Sequence, residues 1–425
     1  MNAVVSPGAL SGTIPAIPSK SEAHRALICA ALADTPTRVI CRSTSEDIDA
    51  TIGCLSALGA RIENDDDSFT VHPIKDVQVD GALLDCRESG STLRFLLPIA
   101  AGLGSCVFTG AGRLSKRPLK PLADALRAHG AAIDADEGLP LHVRGPLSAG
   151  CFDIPGNISS QFITGLLLAA PLLDGPVEIR VTEPIESRPY IDLSLNVIQA
   201  FGVDIEIVRE KGFTCYRLPK QESYRSPGSF EIGGDWSNAA FWLSAGALSD
   251  EGVAVEGLSL SSRQADRVAT GALALLGAQV LRNAHGAATR KGDLLGARID
   301  VTSCPDLVPA IAPVAALAKG RTVICGASRL RLKESDRLAA IADVLGTLGA
   351  NVCADDDALV FEGVERLHGG AVDAHNDHRI AMMAAIAAAR ATDPVLIRGA
   401  ECVAKSYPGF FSDFAVLGGK VTMEE

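Results

Sequence analysis

Two hydrophobic patterns alternate along the chain: stretches apolar on every side of a potential helix, and shorter stretches that turn into alternating strands. One motif recurs, an amphipathic helix that ends at a glycine and runs into an apolar strand. It reads LSALGARI at Gly59, LRAHGAAI at Gly130, IQAFGVDI at Gly202, LALLGAQV at Gly277, LGTLGANV at Gly349 and AVLGGKV at Gly418. A glycine just past the last apolar turn supplies the left-handed residue that ends many helices. Successive glycines lie 71, 72, 75, 72 and 69 residues apart. Six matches at near-constant spacing predict six copies of one unit, and such repeats decide an architecture before any other signal does.

A second pattern runs in phase with the first: a polar cluster opens a nearly all-apolar helix. The segments are SKSEAHRALICAALAD from Ser19, ESGSTLRFLLPIAAG from Glu88 and SSQFITGLLLAAPLLDG from Ser159. They continue with DWSNAAFWLSAGAL from Asp235, PDLVPAIAPVAALAKG from Pro305 and NDHRIAMMAAIAAAR from Asn376. Helices apolar all round are buried, so these six are predicted to fill the domain interiors. Capping accounts for a leading Ser, Asp or Asn, but not for Lys20, Arg25, Arg94, Gln161 and Arg379. A charge in the first turns of a buried helix needs a partner. A helix N-terminus with free N–H groups and a partial positive charge is itself an anion site. Six such openings, three per domain, predict a cationic cleft for phosphate and carboxylate groups.

The connectors add Arg113, Lys116 and Arg117 in RLSKRP, Ser187, Arg188 and Tyr190 in ESRPY, Lys333, Glu334 and Arg337 in RLKESDR, and Lys405 in AKSYP. A Lys or Arg between elements is usually a solvated surface charge. These feed the same strand-to-helix edge in every copy, which favours a site.

Composition narrows the picture. A chain of 425 residues is too long for one ordinary core and predicts two domains. With 47% apolar residues it is not a disordered chain. A formal charge of -12 argues against nucleic acid as a partner, whose phosphates demand a basic face. Eleven cysteines without a CxxC pair read as free thiols in a reducing cytosol. No signal peptide and no membrane span is expected, which predicts a cytoplasmic protein without a membrane partner. Phosphate-loop, dinucleotide and nucleophile-elbow motifs are missing from the sequence. His375 and His378 have no second ligand pair, so no metal is predicted. The chemistry is expected from Lys, Arg, Asp, Glu and Ser, with no cofactor.

These residues resemble the enolpyruvyl transferases, and within them the branch whose acceptor is shikimate 3-phosphate. The resemblance spans essentially the whole chain. It rests on S-K-S-x-x-x-R at Ser19–Arg25, K-R-P at Lys116–Pro118, S-S-Q-F at Ser159–Phe162, R-P-Y-I-D at Arg188–Asp192 and S-P-G at Ser226–Gly228. Further matches are P-D at Pro305-Asp306, K-E-S-D-R at Lys333–Arg337, N-D-H-R at Asn376–Arg379 and A-K-S-Y-P at Ala404–Pro408. It implies an α/β fold of two domains, each of three βαβαββ-type repeats with buried helices, an inside-out α/β barrel. Residues 19–231 would form one domain, mainly on the shikimate 3-phosphate side, and 1–18 with 232–425 the other. The active site would lie in the interdomain cleft of a monomer.

The implied reaction moves the enolpyruvyl group of phosphoenolpyruvate to the 5-hydroxyl of shikimate 3-phosphate and releases phosphate, without a cofactor. Asp306, Glu334 and Lys20 are the implied catalytic residues, Asp306 as base and Glu334 as acid. Lys20, Ser21, Arg25, Ser159, Ser160, Gln161, Ser187, Asp306 and Lys333 are implied to hold shikimate 3-phosphate. Lys20, Gly90, Arg117, Gln161, Arg337, Arg379 and Lys405 are implied to hold phosphoenolpyruvate. His24, Glu88 and Arg329 depart from the usual pattern, which puts Asn at each position. Two alternatives stand beside this reading: the sister transferase acting on UDP-N-acetylglucosamine, and a non-catalytic repeat scaffold. Lys20-Ser21, where the sister enzyme would have Lys-Asn, and the different chemistry opening each repeat speak against them.

Overall fold

A computed structural model describes residues 1–75, 79–135 and 138–424. The chain folds as two compact units, one made of Met1–Ser19 with Gly233–Glu425, the other of Lys20–Ile232. Each unit holds three of the repeats, and among the described residues each repeat has its own four-stranded sheet.

The second repeat shows the plan. Strand Val79–Asp85 leads into the helix Gly90–Leu103, which crosses to the parallel strand Gly104–Thr109. A second helix, Lys120–Ala128, follows, and then strands Ala132–Ile133 and Leu141–Arg144. The last strand inserts between its two predecessors, antiparallel to both. The repeat is therefore βαβαββ, with one parallel and two antiparallel pairings. All six sheets keep this pattern.

Three sheets borrow a strand from far along the chain. Ser229–Glu231 pairs parallel with Thr37–Ile40 and completes the first repeat of the unit Lys20–Ile232. In the other unit, Gly12–Pro15 pairs with Val253–Glu256, and Asn2–Ser6 lies between Val395–Arg398 and Lys420–Glu424. Each unit is thus stitched shut by its own chain ends.

The six apolar helices are Lys20–Ala31, Gly90–Leu103, Ser160–Ala169, Trp236–Ala247, Val308–Leu317 and His378–Ala388. They are buried along nearly their whole length, while the strands alternate buried and exposed positions. The sheets therefore present one face to the helices and one to solvent. Close helix packing has a sequence cause in Gly165, where any Cβ would collide with the Arg94 carbonyl of the neighbouring helix.

The glycine-ended helices behave as the pattern predicts. Gly59, Gly130, Gly202, Gly277, Gly349 and Gly418 all have positive φ, between 81° and 104°. In every copy the next N–H bonds back to a carbonyl five residues earlier, as Ala60 to Leu55 and Ala350 to Leu345. Six Schellman closures in one chain explain why this glycine repeats: another residue in the left-handed region costs about 1 kcal/mol. No helix among the described residues is long and apolar enough to cross a membrane.

Candidate active site

In the unit Lys20–Ile232 the openings of the three buried helices are tied together by side chains. Ser89 caps Gly90–Leu103 by accepting from Thr92 N, and Ser159 caps Ser160–Ala169 by accepting from Gln161 N. Gln161 bridges the two helices: Oε1 accepts from Arg94 at 2.7 Å, and Nε2 donates to Ser91 Oγ at 2.9 Å. Lys20, opening the third helix, donates to Asp47 at 2.7 Å. The Arg117 guanidinium lies against Gly90, where a Cβ would stand 2.5 Å from Nη1. Only glycine lets the cation settle on that helix opening.

Arg25 is buried and donates to Ser194 Oγ at 2.8 Å, to the Tyr190 carbonyl at 3.1 Å and to the Ser21 carbonyl. Burial lowers its pKa to about 10, against the opposing pull of Tyr190 and Glu22, so it stays charged at neutral pH. Ser160 is buried one turn before Thr164, which lies 3.5 Å from Arg25 Nη2. Ser187 is buried with φ 52°, a left-handed backbone that a serine adopts only when its surroundings hold it there. Arg188 is drawn away by Glu183 at 2.8 Å, and Arg113 and Lys116 are exposed.

The other unit repeats the arrangement with different chemistry. Arg379, in the first turn of His378–Ala388, donates to the Asp306 carbonyl at 3.0 Å and to Ser237 Oγ at 2.7 Å. One guanidinium thereby joins the openings of three buried helices. Arg337 is 1% exposed and sits among three carboxylates. Its Nη1 donates to Asp306 at 2.8 Å, Nη2 to Glu334 at 2.6 Å, and Nε and Nη2 to Asp377 at 2.7 and 3.1 Å. Lys333 pairs with Asp306 at 3.1 Å. Lys405, also buried, donates to the Asn376 carbonyl at 2.7 Å.

Burial pushes the Asp306 carboxyl toward the neutral form, but Lys333, Arg379 and Arg337 outweigh it and hold the group well below the usual carboxylate range. Burial acts on Arg337 in the opposite sense to its three carboxylates, which prevail and raise its pKa further. Asp306 is ionised, and its negative charge is shared among cations able to turn to another anion.

Capping is decided at two positions. Asp306 caps no helix; it sits in the short 3-10 turn Pro305–Leu307 ahead of Val308–Leu317, and its carboxylate faces Lys333 and Arg337. Asn376 is not the cap of its helix either: Asp377 is, accepting from Arg379 N at 3.0 Å. Of the departures, Arg329 donates to the Thr302 carbonyl at 2.7 Å, and Glu88 packs against Gly112, where a Cβ would strike its carboxylate.

Residues that the sequence did not single out do much of the positioning. Asp47 holds Lys20, Asp377 holds Arg337, and Ser237 receives Arg379. Asp47 opens the helix Glu46–Ala57, in phase with the connectors that were noticed, and that phase was the available signal. Among the described residues no group of three or more His, Cys, Asp or Glu could hold a metal ion. His375 instead bonds Asp343 at 3.0 Å on the surface, and His378 is buried.

A family model described as EPSP synthase (3-phosphoshikimate 1-carboxyvinyltransferase) matches residues 4–414. The chain belongs to the EPSP synthase family. It is 43% identical to the 3-phosphoshikimate 1-carboxyvinyltransferase of Clostridium acetobutylicum, over 99% of this chain and 98% of that one. Identity to the enzyme of the same name from Clostridium kluyveri is 40%, over 98% and 97%. Among solved structures, EPSP synthase from Acinetobacter baumannii aligns over the full length of both chains with TM-score 0.81 and 28% identity.

Proposed function

We propose that this EPSP synthase family member transfers the enolpyruvyl group of phosphoenolpyruvate to the 5-hydroxyl of shikimate 3-phosphate, releasing inorganic phosphate. The observation that carries the reading is the cluster around Asp306: a half-buried ionised carboxylate and Glu334, both touching Arg337, with Lys333 and Arg379 against Asp306.

Two multiply charged anions must be held together, and cations are what offsets their repulsion. In the unit Lys20–Ile232, Ser21, Arg25, Ser159, Ser160, Gln161 and Ser187 hold shikimate 3-phosphate. Lys20, Arg117, Gln161 and the Gly90 N–H grip the phosphate of phosphoenolpyruvate, a helix opening being suited to that anion. In the other unit, Arg337 and Arg379 take the phosphoenolpyruvate carboxylate, Lys405 its phosphate, and Lys333 and Asp306 the substrate hydroxyls. The guanidinium fork suits the carboxylate task.

Arg337 already has four of its five N–H donors engaged by Asp306, Glu334 and Asp377. A bidentate grip on an incoming carboxylate therefore requires release of Asp306 or Glu334. That exchange makes chemical sense. Asp306 deprived of part of its cation shell regains proton affinity, and it does so when the second substrate is in place. A carboxylate held far below neutral is a poor base; loosened, it can accept the 5-hydroxyl proton. The freed oxygen bonds to C2 of phosphoenolpyruvate while C3 takes a proton from Glu334, which has left Arg337 and taken up a proton from solvent before the step. The resulting tetrahedral adduct then loses phosphate from C2 and a proton from C3, restoring the vinyl group. Asp377 stays on Arg337 throughout and keeps it aimed.

The protein is read as a monomer acting in the cytoplasm. The direct test is inorganic phosphate release. Phosphate should appear when the chain meets both substrates and stay at background with either alone; background release with both would remove the proposal.

A further inference from the structure

A buried chain of hydroxyl groups runs between the candidate phosphate-binding elements, and none of its members carries a role in the transfer described above. His24 Nδ1 lies 2.7 Å from Thr51 Oγ1, and Thr51 Oγ1 lies 2.7 Å from Thr92 Oγ1. Thr92 Oγ1 donates to Ser89 Oγ at 2.8 Å, and Thr92 N donates to the same oxygen at 3.2 Å. Ser89 is the cap of the helix that begins at Gly90. A side branch reaches the Asp47 carbonyl at 3.5 Å, and the Asp47 carboxylate holds Lys20, one turn before His24.

The direction of the chain fixes a tautomer. Thr92 gives its hydroxyl proton to Ser89, so it accepts from Thr51. Thr51 then has no proton left for the imidazole and must accept from it. His24 is therefore the Nδ1–H tautomer, with Nε2 bare. That agrees with its surroundings: Nε2 is buried without a hydrogen-bond partner, and the ring stands edge-on to Phe95 with centroids 6.3 Å apart. Burial first, then Lys20 and Arg25, keep the imidazole neutral by holding its pKa well below the ordinary value. An imidazolium would also need an acceptor at Nε2, and the site offers an aromatic ring.

We propose that His24 is a positioning residue which, through Thr51 and Thr92, fixes the Ser89–Gly90 helix opening, and with it the affinity for the phosphate of phosphoenolpyruvate. The inference rests on the functional reading above. It adds to it that the donor at one end of the relay, buried among packed helices, sets the geometry at the other.

Steady-state kinetics on the full chain tests it. His24→Leu is expected to raise the KM for phosphoenolpyruvate about tenfold, the worth of one buried hydrogen bond, with kcat and the KM for shikimate 3-phosphate within about twofold. His24→Asn, whose amide N–H can reach the place of Nδ1–H, should recover most of the loss. Thr51→Val, nearly isosteric and safe for folding, should reproduce the defect, and the double variant should be no worse than either single one. Unchanged KM in folded His24→Leu or Thr51→Val, no rescue by Asn, or fully additive losses would each overturn the relay. Nitrogen NMR of labelled histidine gives a readout independent of turnover: a neutral Nδ1–H ring at neutral pH supports it, and an Nε2–H ring or an imidazolium sinks it. If the wild-type chain shows no turnover the functional reading fails. If turnover is normal and the KM does not move, only the relay fails.

Discussion

Asp377→Asn isolates the anchor of the Arg337 cluster. The wild-type carboxylate is fully buried and accepts from four donors: Ser335 Oγ and Arg337 Nε at Oδ2, Arg337 Nη2 and Arg379 N at Oδ1. Asparagine caps helices well, so the bond from Arg379 N survives with the amide oxygen on that side. The NH2 group then meets Arg337 Nε, donor against donor, and the serine must turn. One charge-assisted hydrogen bond is lost outright, and the rest of the pair with a buried guanidinium is weakened. Arg337 keeps Asp306 and Glu334, which limits the damage, so the cost should be about 3 kcal/mol. Both tryptophans of the chain, Trp236 and Trp242, lie buried in one helix of the same unit, so tryptophan fluorescence reports this unit's unfolding. With an m-value of about 2–3 kcal/mol per molar urea, the midpoint should fall by about 1 M. An unmoved midpoint would show that Asp377 does not hold the cluster together.

Other outcomes follow from the same structure. Gly90→Ala places a methyl 2.5 Å from Arg117 Nη1, at the movable end of a long side chain; the fold should persist, while the KM for phosphoenolpyruvate rises about tenfold. Gly418→Ala has φ 88° and no atom within 4 Å of the new Cβ, and should cost about 1 kcal/mol. Gly277→Ala, in the same motif, also collides with the Asp293 carbonyl and should cost more than about 2 kcal/mol; equal effects in urea melts would refute the steric argument. Asp306 has a depressed carboxyl pKa, so its contribution is fully present above the ordinary value of about 4 and is lost as pH falls toward its folded value. Replacing it by Asn should flatten the loss of this unit's stability between about pH 5 and 3; parallel acid limbs for the two proteins would contradict the assignment.

The glycine-ended helices were legible because a left-handed C-terminus demands one residue type, and six copies multiply a weak local signal. The buried helices were legible because being apolar all round has one common explanation in a protein of ordinary charge. Which distant strand completes which sheet was not. Ser229–Glu231, Gly12–Pro15 and Asn2–Ser6 are three to five residues long, and their pairing depends on partners up to about four hundred positions away, which no local pattern encodes. In the site, the cations were visible as residues out of place in apolar helices. Their counter-ions were not, because Asp47 and Asp377 look like ordinary helix-opening acids until Lys20 and Arg337 are seen beside them. Asp306 was noticed as the implied base, and its position in a 3-10 turn leaves it no capping role beside that.

The most direct test of the transfer is proton and phosphorus NMR of the reaction run in heavy water with both substrates. The account predicts one equivalent of phosphate for each new vinyl ether formed, with deuterium washed into its methylene, because C3 passes through a methyl group in the tetrahedral adduct. Phosphate without a vinyl ether, or a vinyl ether whose methylene carries no deuterium, would contradict the addition and elimination assigned to Asp306 and Glu334.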